Sequence, residues 1–246
     1  MPVIRVKVQA VQAVRALDDV QRRQVPFASA LALTRTARAV EKSLQDEIRR
    51  VFDRPRPSTV KSTFSTPAKK NDLRATVGIK DIKPADGLPP SVYLKEHFSG
   101  GVRGFKPMER ALQAGRHLPR GWRVVPAEGM PADRFGNPRK EKVREVLGAL
   151  KSGLSLYSGK GKRQAVIGYF VVQPGARDPR VGHLQPGVYR RIQRKTDRAA
   201  VPVLLFVQKA TYQRSINLPA LAERVVAVEF SRQFDAALAS AVRTAR

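Results

Sequence analysis

The chain is 246 residues long, and a hydrophobic fraction of 42% is enough to bury a core in one large domain or two small ones. Forty-seven Lys and Arg against 20 Asp and Glu leave a net charge of +27, an excess that disfavours the compact state unless something anionic neutralises it. The absence of cysteine excludes disulfides and thiolate-bound zinc, and no apolar run approaches the roughly 20 residues that a membrane-spanning helix needs.

The opening residues hold no long apolar core of a secretory signal, so a soluble protein made in the cytoplasm is expected. Val3, Ile4, Val6 and Val8 alternate imperfectly and predict a short strand or extended arm. From Gln9 to Gln24 apolar residues recur at three-residue steps, which predicts a helix that Pro26 interrupts. A longer helix follows over 27–52, with Leu33, Ala37, Val40, Leu44, Ile48 and Val51 as its inward stripe and a length of about 39 Å. Pro55 and Pro57 end it. The Ser- and Thr-rich stretch over 57–71 reads as a solvated linker with at most one helical turn, at Ser58 to Phe64. Leu73, Ala75, Val77 and Ile79 then alternate as a strand over 73–80.

The stretch from Tyr93 to Leu150 packs helical pieces, glycine turns and aromatics too closely for an independent domain, so it must dock on its flanks. Val92, Leu94 and Phe98 read as core-facing positions of a short element that Gly100 and Gly101 terminate. Pro107 precedes a helix with Met108, Ala111 and Leu112 inward and Gly115 as its stop. Trp122 opens an apolar run closed by Pro126 and reads as a core side chain. Asp133, Gly136, Asn137 and Pro138 form a turn ahead of a helix beginning near Glu141.

Residues 152–163 read as a flexible basic loop. They lack the phosphate-loop register, since Gly153 is not followed at the right interval by a Gly-Lys-Ser/Thr triplet. Strands are predicted over 165–172, 188–193 and 201–207, the last two joined by a basic turn. Asn217 caps, and Pro219 opens, a helix reaching nearly to the C-terminus, with Phe230, Phe234, Leu238 and Val242 as its core stripe. The predicted fold class is α+β, a small mostly antiparallel sheet flanked by long N-terminal and C-terminal helices. Residues 1–70 form an N-terminal helical region and 71–246 an α+β core with the C-terminal helix, the two making one structural unit.

Basic and acidic residues number 15 and 6 over 1–70, 3 and 3 over 71–92, 12 and 6 over 93–150, and 17 and 5 over 151–246. The excess thus lies in folded-looking segments, unlike a basic arm grafted onto a neutral domain. Lys160, Lys162, Arg163, Arg190, Arg191, Arg194 and Lys195 are the candidate DNA- or phosphate-facing residues. The first three sit on the flexible loop, and the others on a hairpin one face of which reads as basic and wet.

Material for chemistry is thin. His97, His117 and His183 fall on different loops with no metal-ligand spacing, so no metal and no cofactor are expected. His97 with Glu109 and Asp133 is the nearest approach to a nuclease-like acidic site, and only an assembled site would make it one. Ser58 and Lys61 match a short acyl-transfer spacing without its partner motifs. No helix-turn-helix spacing, zinc finger or aromatic-rich RNA-binding strand is present, which leaves nonspecific phosphate attraction. An enzyme is not expected.

Taken together, His97 with Gly100 and Gly101, the run Glu109, Ala111, Leu112, Gly115, Leu118, Pro119, Gly121, then Val125 and Pro126, and the turn Asp133, Gly136, Asn137, Pro138 resemble the minor tail protein Z-like, or tail completion, proteins of tailed bacteriophages. The segment from Pro186 through 203–207 to Tyr212 and the ending over 237–246 share the likeness, which is one of arrangement over most of the chain. The resemblance implies a structural virion protein of the neck or tail, head-tail connector in character, made in the host cytoplasm. It also implies a homo-oligomeric ring around the DNA passage, other virion proteins of the neck, tail and portal region as partners, nonspecific contact with genomic DNA, and no membrane. The alternative is a basic nonspecific nucleic-acid-binding protein, ribosomal or chromatin-like, in which the charge itself is the function.

Overall fold

The structure, a computed structural model, describes residues 20–82, 87–153, 156–158, 165–193 and 198–244. The strand expected at residues 3–8 and most of the helix expected over 9–24 lie outside them. Residues Val20–Gln24 form a π-helical turn that runs into α1 (Val25–Val51), so Pro26 sits in the first turn of the long helix, where its missing N–H is harmless. In chain order there follow α2 (Pro57–Val60), β1 (Thr63–Thr66), β2 (Thr76–Ile79), α3 (Pro90–Ser99), β3 (Gly101–Val102), α4 (Pro107–Ala114) and β4 (Arg123–Pro126). Then come α5 (Lys140–Ser152), β5 (Leu156–Ser158), β6 (Ala165–Val172), β7 (Gly187–Gln193), β8 (Arg198–Val207), β9 (Thr211–Tyr212) and α6 (Leu218–Thr244). The class is α+β, with small antiparallel sheets and long helices near both ends of the chain.

Two compact units divide the chain: residues 1–98 with 215–246, and residues 99–214. The expected boundary near residue 70 falls inside the first.

In the first unit α1 and α6 pack side by side, the last turns of α1 against the first turns of α6. Leu44, Ile48, Val60 and Ile216 are buried together, and Val77, Ile79, Phe98 and Leu218 pack on them. β1 and β2 pair antiparallel here, Thr63 opposite Ile79 and Thr66 opposite Thr76. The expectation of a solvated linker over 57–71 is therefore corrected. Its hydroxyls are internal partners of α1: Thr63 and Ser65 donate to Glu41 at 3.1 and 2.6 Å, and Gln45 donates to Thr63 at 2.9 Å. The strand near 73–80 likewise belongs to this pair and not to the main sheet.

Helical geometry explains three further departures from the expected inward faces. Leu94 and Phe98 are four apart and pack inward, whereas Val92, two residues from Leu94, projects from the opposite side and is exposed. In α4, Leu112 is buried and Ala111 is exposed, while Glu109, one turn before Leu112, is wholly buried. The stripe expected on α6 advances four residues at each step, which turns it 40° per step out of line with a 3.6-residue helix. Val242 is accordingly exposed, and Phe230, Phe234 and Leu238 are half-buried. Leu221, Ala237 and Ala241 are the buried positions. Asn217 does cap α6, its Oδ1 accepting from the Ala220 N–H at 3.3 Å.

The second unit is built on a five-stranded antiparallel sheet of order β4-β8-β7-β6-β5. Two of its strands were not expected: β4, read as an apolar run, and β5, which lies in the stretch read as a flexible loop. Val124, Val188, Leu204 and Phe206 of the sheet pack with Leu112 of α4, Val146 of α5, and Leu118 and Met130 between them. Trp122 lies against this core, as expected. β3 and β9 form a separate two-stranded ribbon.

Candidate nucleic-acid interface

Successive residues of a strand point to opposite faces of a sheet, so the adjacent Arg190 and Arg191 cannot share one. On β7 the register sets Arg190 opposite Tyr169 of β6 and Val201 of β8, and Arg191 opposite Gly168 and Ala200. Arg190 therefore lies on the face covered by α5. There Tyr169 donates its hydroxyl to Glu145 Oε1 at 2.8 Å and Lys142 Nζ donates to Glu145 Oε2 at 2.6 Å. Burial raises the Glu145 pKa, but the bonds from Lys142 and Tyr169 and the nearby charge of Arg190 outweigh it and hold the carboxyl below its ordinary value. Burial and then Glu145 push the Tyr169 phenol well above its ordinary range. The Nε of Arg190 is buried and has no hydrogen-bond partner among the described residues.

Arg191 takes the other face and is exposed. Its guanidinium lies 4.9 Å from the centre of the Phe170 ring, and Phe170 stacks on Tyr189 at 5.6 Å with 24° between the planes. Tyr189 is anchored in turn by donating its hydroxyl to the Gln185 carbonyl at 2.9 Å. Its directly paired cross-strand neighbours, Gly168 and Ala200, carry nothing longer than a methyl group. An exposed guanidinium over an aromatic ring is suited to meet a phosphate. Of the two described arginines on this hairpin, Arg191 is thus the exposed one and Arg190 is half-buried beneath α5. Lys160, Lys162, Arg163, Arg194 and Lys195 lie outside the described residues.

Charge is uneven between the two units. Residues 99–214 contain 24 Lys and Arg against 7 Asp and Glu, and the remaining residues contain 23 against 13. The 99–214 unit thus carries a net +17 on under half of the chain.

The acidic residues set aside for a nuclease-like site are engaged elsewhere. Glu109 Oε1 accepts from Arg103 at 2.5 Å and from the Val124 N–H at 2.7 Å; its Oε2 accepts from Arg103 at 2.8 Å and from the Lys106 N–H at 2.7 Å. Arg103 also donates to the Val124 carbonyl at 3.0 Å. Burial alone would raise the Glu109 carboxyl, but Arg103 and the two backbone N–H groups bring it below its ordinary value. β4 is an edge strand, and this ion pair satisfies both backbone groups of Val124 where a sixth strand would have bonded. The sequence signal was available: Glu109 and Leu112 are one turn apart, so a helix burying Leu112 brings a carboxylate toward the core.

Asp133 Oδ1 accepts from the N–H groups of Phe135 and Asn137 at 2.9 and 3.0 Å and closes its own turn. His97 belongs to the other unit, where Nδ1 is 3.0 Å from the Ser215 hydroxyl and the ring packs edge-on to Phe52 at 4.5 Å. Burial lowers its pKa, against a smaller opposing influence of Glu96. Among the described residues no group of three His, Cys, Asp or Glu is placed to hold a metal ion, and no helix is long and apolar enough to cross a membrane. No protein-family model, no curated protein and no solved structure matches this chain.

Proposed function

We propose that this chain is a structural component of a tailed-phage virion, a tail completion or head-tail joining protein that assembles as a homo-oligomer around the passage taken by DNA. The observation that carries the reading is the net +17 of a folded unit whose sheet presents Arg191 on an aromatic stack. A scaffold of this sign next to DNA exchanges condensed counterions for Lys and Arg, attracting phosphates without reading sequence. The phage assignment itself is supported by the arrangement of residues from His97 to Pro138 and by the likeness of the chain's ending. The role proposed is architectural: made in the host cytoplasm, the chain ends in the particle beside neck, tail and portal-adjacent proteins, and it turns over no substrate.

Quantitative mass spectrometry and immunogold electron microscopy of purified particles test this. The chain should be present in fixed stoichiometry, with label at the junction of head and tail. Its absence from mature particles refutes the proposal.

The second reading, a nonspecific nucleic-acid-binding protein outside any particle, is favoured by the same Arg191 platform. It predicts stoichiometric binding of free duplex DNA or RNA by the isolated chain and no enrichment in particles.

A further inference from the structure

Helix α6 is electrically neutral in a strongly basic chain. Its 27 residues contain Arg224, Arg232 and Arg243 against Glu223, Glu229 and Asp235, so its formal charge is zero and the whole +27 lies elsewhere. It is also under-buried. Valine, leucine, phenylalanine and alanine make up most of it, yet its buried residues are Leu221, Ala237 and Ala241. A helix apolar on most sides is ordinarily covered on most sides. Val228 is 71% exposed and Val242 46% exposed. They are fourteen residues apart, so at 100° per residue they project within about 40° of one another and about 21 Å apart along the axis, and half-buried Leu238, one turn before Val242, flanks that line by about a further 40°.

The charge pattern decides what can cover this face. Nucleic acid is drawn to the basic surfaces and finds no attraction on a neutral helix. A membrane surface would call for a basic polar face, which α6 lacks. A second copy of this chain is repelled by every strongly basic surface of the first. Along α6, however, it meets no net charge: mostly apolar side chains, a few uncharged polar ones, and alternating acids and arginines such as Glu229 and Arg232, themselves paired at 2.6 Å. We propose that α6 is the surface through which copies of this chain associate, with Val228, Leu238 and Val242 at the centre of the contact. The inference deepens the homo-oligomer in the functional reading above and names its surface.

Salt separates this association from nucleic-acid binding, because screening weakens the repulsion between copies while it dissociates phosphate contacts. The full chain, freed of nucleic acid by nuclease and high-salt washing, is examined by sedimentation velocity from about 0.1 to about 1 M NaCl, over which the Debye length falls from about 10 to about 3 Å. The oligomer should become more populated as salt rises. The double substitution Val228→Glu/Val242→Glu should weaken association at least about tenfold with helical circular dichroism unchanged, and Val228→Gln/Val242→Gln should do so without adding charge. Val102→Glu, the same change at a 50% exposed valine of the other unit, should leave it intact. A chain monomeric at every salt, or α6 variants that associate like the unmodified chain, overturns the inference. Association through α6 by a chain absent from particles sinks only the virion reading, and a chain found in particles that stays monomeric sinks this inference together with the homo-oligomer while the virion assignment stands.

Discussion

Replacing Glu109 with glutamine keeps the side-chain volume and removes the charge that organises the edge of the main sheet. In the folded chain the carboxylate accepts four N–H bonds, and its partner Arg103 is 8% exposed. The amide would turn two donors toward donors and leave the guanidinium buried without its anion. Breaking one side of a buried pair costs about 3–5 kcal/mol. For a unit of this size that corresponds to a fall in Tm of roughly 10–20 °C, read by circular dichroism and by urea titration.

The double substitution Arg103→Met/Glu109→Leu sharpens the case. A buried ion pair exchanged for hydrophobic residues is often neutral or stabilising. Here the Val124 N–H and C=O and the Lys106 N–H would also lose their partners, each worth about 1–3 kcal/mol when buried and unmet, so the double variant should remain at least about 2 kcal/mol below the unmodified chain. Because the folded pKa of Glu109 lies below its unfolded value, its contribution is fully present above about pH 4.3 and lost as pH falls through the folded value. A single variant that loses less than about 1 kcal/mol, or a double variant as stable as the parent, would falsify the idea that this pair caps the sheet edge.

Arg191→Ala should reduce the slope of log affinity against log salt for duplex DNA by about 1, as one lost phosphate contact does, with stability changed by only about 0.5–1 kcal/mol. Arg190→Ala should leave that slope alone, and fluorescence anisotropy across a salt series distinguishes the two. Gly187→Ala should destabilise the sheet by about 1–3 kcal/mol in urea titration, since a Cβ there would collide with the Leu204 carbonyl and come within 3.2 Å of the Leu205 Cα, neither of which can swing aside. Glu41→Ala removes the acceptor for Thr63 and Ser65 and should lower stability by about 2 kcal/mol in the same assay; no loss would mean that β1 docks on α1 without it.

Periodicity and punctuation made much of this protein readable before its structure. The stripe Val40, Leu44, Ile48 marks α1 because each helical turn must return an apolar residue to the same side, and the uninterrupted run at 165–172 marks a strand. The α+β class and the overall positive charge were likewise set by the residues alone. Other features depended on partners distant in sequence. The strand at Thr63–Thr66 is invisible to composition, because its hydroxyls look solvated until Glu41 and Gln45 are brought beside them. Two adjacent arginines look alike as letters. Only the register against Tyr169 and Gly168 sends Arg190 beneath α5 and Arg191 onto an aromatic stack. Glu109 reads as a helix-surface acid until Arg103 and the edge of β4 close around it. Patterns within about one helical turn or one strand are local and were determined by the sequence. Which polar group is buried, and against what, is a property of long-range contacts that only the tertiary structure decided.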